Sequence, residues 1–160
     1  MEFKYCKIIF MVAFCCSYYS YDQVNAGGPS VESCEYYKNS FTELFSKMNS
    51  SVYITHDTAI NKLNLYAAAN KSQSAKEFSS GINSIANNAR TKISGAIYDL
   101  FDEIAEIIPS YTSDDIANFV FSDNVPKYPL SCITNLHDIF YTFVLVDGDI
   151  DDLVSTLLSS

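Results

Sequence analysis

The chain has 160 residues, close to half of them hydrophobic, and carries 19 acids against 10 lysines and arginines, a net charge of −9. An acidic protein repels phosphate backbones and anionic lipid surfaces, which argues against nucleic acid and against electrostatic membrane docking. The length suits one domain around a single core.

The first segment reads as a leader. Met1–Lys7 holds two lysines, Lys4 and Lys7. IIFMVAFCC (8–16) is apolar, and a polar stretch then ends in Val24-Asn25-Ala26. A charged start, a short apolar run and a small-residue exit are the layout of a secretory signal peptide. The run is shorter than the roughly 20 residues of a membrane helix. Cleavage after Ala26 is expected, leaving a secreted, soluble domain over 27–160. Cys6, Cys15 and Cys16 leave with the leader, and Cys34 and Cys132 remain. In an oxidising compartment they are expected to form one disulfide, with two buried free thiols as the alternative. Asn49-Ser50-Ser51 and Asn70-Lys71-Ser72 are glycosylation sequons whose use the sequence leaves open.

The mature chain is patterned for helices. Residues 31–48 place Cys34, Tyr37, Phe41, Leu44, Phe45 and Met48 at helical spacing. Residues 55–70 open on Thr and Asp and carry Ile60, Leu63 and Ala67 on one stripe. Residues 74–89 repeat Phe78, Ile82 and Ile85, weakened by Gly81 and Asn87-Asn88. A strongly amphipathic helix over 91–109 stops at Pro109. A short capped helix follows at 112–121, then a two-proline loop, the very apolar segment 131–146 and an acidic restart at 147–158. The expected fold is an all-α, single-domain bundle of five or six helices.

Few residues suggest chemistry. DGDIDD (147–152) starts like a calcium loop, but its sixth and twelfth positions are Asp152 and Leu158, not Gly and Glu. It reads as an acidic helix start. His56 and His137 are the only histidines, and neither has an i, i+4 partner for zinc. No serine stands in a G-x-S-x-G elbow and no Gly-rich phosphate loop occurs. The expectation is a non-enzymatic protein without metal or cofactor.

The segment 91–109 poses the sharper question. Asp99, Asp102, Glu103 and Glu106 follow one another at i, i+3, i+4 and i+7, and no cation follows Lys92 within the segment. Like charges at this spacing cost ~0.2–0.5 kcal/mol per pair when exposed, and the C-terminal end of a helix dipole disfavours anions. Both effects favour the protonated acids, and covering the face with a partner adds to them. Acid should therefore promote association, with a transition around pH 5–6.5. A solvated face that keeps the chain soluble is the plainer reading.

TKISGAIYDLFDEIAEII (91–108) resembles the third helix of spider-silk protein (spidroin) N-terminal domains, in Thr91-Lys92-Ile93 and Ile104-Ala105-Glu106-Ile107. EFSSGINSIA (77–86), SDDIANFV (113–120) and CITNLHDIFYTFV (132–144) resemble the second, fourth and fifth helices. PLSC (129–132) is similar to spidroin C-terminal domains. The resemblance implies a domain that keeps silk protein soluble at neutral pH and dimerises as the gland lumen acidifies, its partners being a second copy and other silk chains. It implies that Glu77 is an interface acid, Lys92 its lysine and Glu106 a proton-uptake glutamate. Asp99, Asp102 and Glu103 join them from the charge pattern alone. The chain departs from the family in lacking tryptophan and in adding residues 49–73. The alternative is a secreted helical carrier whose aromatics line a cavity for a small apolar ligand.

Overall fold

The computed structural model of the protein describes residues 31–122 and 124–159, so the expected leader over 1–26 lies outside the described residues. Four α-helices follow one another: α1 (Val31–Ala69), α2 (Ala75–Ile107), α3 (Ser113–Val120) and α4 (His137–Ser159). A 3-10 turn, Leu130–Cys132, precedes α4, and no strand occurs among the described residues. None of these helices is long and apolar enough to cross a membrane. The all-α expectation holds. The described residues, however, hold four α-helices against the five or six expected.

Of the seven helical segments marked out in the sequence, three pairs run together without a break. Residues 49–54 lack Gly and Pro, and Ser50 turns its hydroxyl back onto the Ser46 carbonyl (2.9 Å), so it serves the helix instead of capping a new one. Thr91 does the same to Asn87 (3.0 Å) across the second expected break. Asp147-Gly148 is bracketed by the fully buried Val146 and Ile150. A poor helix former costs up to ~1 kcal/mol, less than the ~1.5–3 kcal/mol gained by burying one large apolar side chain. The apolar segment also starts late. Its first residues form the 3-10 turn, and α4 begins only at His137.

α1 and α2 are about 58 and 50 Å long at 1.5 Å per residue. Their buried positions share one period. On α1 these are Phe41, Met48, Val52, Ala59 and Leu63; on α2 they include Ile82, Ile93 and Ile104, with Ala86 and Ile97 between them. Both sets return every 11 residues, which is three turns at 3.67 residues each and close to a straight helix. Each stripe thus keeps facing its partner along an antiparallel hairpin. The five-residue turn between them closes on Ser74, whose hydroxyl accepts from the Glu77 N–H (3.4 Å) while the Glu77 carboxylate accepts from Ser74. Gly81 leaves room for the Tyr66 ring, which would overlap any side chain there.

α3 and α4 close the core from the other side of the hairpin. Ile116 and Val120 of α3 and Ile139, Val146 and Ile150 of α4 are buried against it. Cys34, near the start of α1, is bonded to Cys132 in the 3-10 turn, with 5.1 Å between their Cα atoms and a sequence separation of 98. The bond anchors the long loop that enters α4. Replacing both cysteines with alanine is expected to cost about 2–5 kcal/mol of stability, read as a lowered guanidinium midpoint. An unchanged midpoint, with two titratable thiols in the native protein, would contradict it.

Candidate association face

Because α2 is one unbroken helix, residues that the sequence assigns to two helices lie on one surface. At 100° per residue, Glu77, Lys92, Asp99, Asp102, Glu103 and Glu106 fall within an arc of about 100°. They run about 43 Å from Glu77 to Glu106. Five of the six are exposed, and Glu103 is half-buried. Arg90 points to the opposite side of α2, where α4 packs, so the stripe faces away from α4.

α1 forms the other wall of this face. In one shallow groove Ile54, Thr58 and Lys62 stand opposite Ile85, Asn88 and Lys92. In the next, Lys47, Met48 and Ser51 stand opposite Ala96, Asp99 and Glu103, with Asp102 at the edge. The first groove holds two lysines and no acid. The second holds three acids and one lysine. Between the two grooves the face therefore changes from positive at Lys62 and Lys92 to negative at Asp99, Asp102 and Glu103. Ile54, 68% exposed, supplies an apolar contact. Gly95 lies between Lys92 and Asp99 with nothing within 4 Å of its missing side chain, which leaves the backbone open to close approach. Neither groove is enclosed.

The acids are partly compensated, contrary to the sequence reading. Lys47 of α1 donates to the Glu103 carboxylate. That bond, the charge of Glu103 and the charge of Asp99 hold the Lys47 ammonium above its ordinary range. Ser113, in the first turn of α3, donates its hydroxyl to Asp102. Lys47 lies 56 residues before Glu103, so no local pattern reveals the pair. An exposed ion pair of this kind contributes little on its own.

Glu77 has a structural task. The Ser74 hydroxyl and then the Ser74 backbone N–H, both bonded to its carboxylate, hold it below the usual carboxylate range. Asp115 repeats the arrangement at α3, where the Thr112 N–H (2.9 Å) and hydroxyl (2.7 Å) both donate to it and lower it.

The acidic run 147–152 is the interior of α4, neither a helix start nor a loop. Its acids meet Arg90 of α2 and His56 of α1. Arg90 Nε donates to Asp147 Oδ1 (2.8 Å), and its terminal nitrogen Nη2 reaches Asp151, one turn further on. His56 Nδ1 lies 3.0 Å from Asp57 Oδ1, and its Nε2 lies 3.5 Å from Asp149 Oδ2 without hydrogen-bond geometry. The Arg90 and Asp147 side chains are 29% and 30% exposed, so the bond between them counts for more than a surface pair, roughly 1.5–3 kcal/mol. His137 is exposed at the first residue of α4.

Compared with known protein families, characterised proteins and solved structures, the chain matches none.

The two capping carboxylates set an acid limit for the fold. Both are depressed in the folded protein, so their stabilisation is complete above the unfolded carboxylate values near pH ~4 and is lost as pH falls through the folded ones. Urea midpoints should fall between pH 6 and pH 3. The double variant Glu77→Gln, Asp115→Asn should show a shallower fall, and an equally steep one would contradict the assignment.

Proposed function

We propose that this is a secreted, non-enzymatic association domain, similar in role to spidroin terminal domains. On this reading it keeps its chain soluble at neutral pH and pairs with a second copy when the surroundings acidify. The observation that carries the reading is the charge division of the α1/α2 face. Lys62 and Lys92 stand in one groove, and Asp99, Asp102 and Glu103 in the next, with Glu106 exposed beyond them.

A surface divided in this way is self-complementary under a two-fold axis, which sets the positive end of one copy against the negative end of the other. Acids outnumber the available lysines, because Lys47 is already engaged by Glu103. At neutral pH the surplus negative charge, added to the net −9, keeps copies apart. Covering the acids with a second copy favours their neutral forms. Association then takes up protons and strengthens as pH falls. The open, shallow grooves suit a broad protein partner better than an enclosed apolar ligand. The setting in a silk-gland lumen and the partnership with other silk chains rest on the resemblance of the short segments around Lys92, Glu106 and Glu77.

Sedimentation velocity tests the reading. A monomer is expected at pH 7.5 and a dimer at pH 5.5, which lies above the pH at which the caps fail. Added salt should weaken the dimer. Lys92→Ala should weaken it at every pH, and Glu106→Gln should let it form at higher pH. Monomer at both pH values, or a dimer indifferent to both substitutions, would remove the reading.

A further inference from the structure

We propose that Asn70 is an N-glycan acceptor and that Asn49 is not. Both head an Asn-x-Ser sequon, so the sequence ranks them equally. Their surroundings differ. Asn49 lies in the middle of α1, and its Oδ1 accepts a hydrogen bond from Thr142 Oγ1 of α4 (3.3 Å). Thr142 is 9% exposed. Asn49 therefore belongs to a packed contact between two helices. Asn49 is half-buried, and a sugar on its amide would crowd the contact between α1 and α4, where added groups are accommodated only at a cost.

Asn70 directly follows α1, in the turn to α2, where Lys71, Ser72 and Gln73 are all exposed. Its own side chain is half-buried through two bonds. Nδ2 donates to the Tyr66 carbonyl (2.8 Å), and Oδ1 accepts from Gln73 Nε2 (2.9 Å). The primary amide has two N–H groups, and glycosylation replaces one of them, so the secondary amide still carries a donor within reach of the Tyr66 carbonyl and an acceptor for Gln73. The donor is an oligosaccharide carried on a lipid pyrophosphate. Nδ2 attacks the anomeric carbon, the new C–N bond forms and the C–O bond to pyrophosphate breaks. The lipid pyrophosphate leaves, and Nδ2 gives up one proton.

The glycan would stand at the hairpin turn, level with Glu77 and about 33 Å along α2 from Asp99. The acidic groove would stay open. The proposal rests on the secretory part of the reading above and not on dimerisation.

The test is to express the full chain in a eukaryotic secretory host, in its native form and behind an added leader, and to map glycopeptides by mass before and after amidase treatment. One glycan is expected, at Asn70, lost in Ser72→Ala and kept in Ser51→Ala. An unmodified Asn70 in the leader-bearing chain, or a glycan on Asn49, would overturn the proposal. A glycan at Asn70 only in the leader-bearing chain would support the assignment and fault the native leader instead.

Discussion

The seam between α1 and α2 is the constraint on which the rest of the molecule depends. Phe41, Val52 and Leu63 recur every 11 residues on one helix, and Ile82, Ile93 and Ile104 recur at the same interval on the other. At 3.67 residues per turn each stripe drifts only slightly around its helix, so the two stay face to face for many turns. The seam also holds both helices unbroken through residues that favour ends and turns, such as Ser50, Asn87 and Asn88. Helical stability in proteins comes mainly from this kind of packing and only weakly from propensity.

Once the hairpin is set, each remaining element occupies one of its sides. α4 is held by its own apolar residues and by Arg90 between Asp147 and Asp151. The Cys34–Cys132 bond ties the approach to α4 back to α1. α3 packs near the C-terminal end of α2, where Ser113 meets Asp102. The side of α2 away from Arg90 meets α3 at Asp102 and carries Lys92 and the acids of the proposed interface. The division of labour among charges follows. Acids on α4 are used to hold the fold together, Glu77 and Asp115 are used to start helices, and the acids from Asp99 to Glu106 form a solvent-facing field met in part by Lys47.

Much of this was legible in the sequence at the level of pattern. The apolar positions of α1, α2 and α4 were readable, as was the pairing of Cys34 with Cys132. The 11-residue repeat was also present and ran straight through two of the supposed breaks, with Val52 inside the first and Ile82 and Ile93 on either side of the second. Reading Thr55 and Asp57 as a helix start, Ala89 as an end and Asp147 as a restart gave local preferences more weight than the long period. What the sequence could not reveal were contacts between distant residues. Nothing near Glu103 points to Lys47, nothing near Asp147 points to Arg90, and Thr142 gives no sign that it meets Asn49. Glu77 has a local signature, Ser three residues before Glu, which marks a capping box.

The central claim is that α2 is one continuous helix, because only continuity brings Glu77 and Lys92 onto one face with the acids from Asp99 to Glu106. Amide hydrogen exchange resolved residue by residue tests it most directly. The account predicts that the amides from Ser84 to Ala96 exchange slowly and with similar protection, as expected for an uninterrupted run of i to i−4 hydrogen bonds packed against α1. Rapid exchange confined to residues 87–92, between two protected flanks, would show a break there and would contradict it.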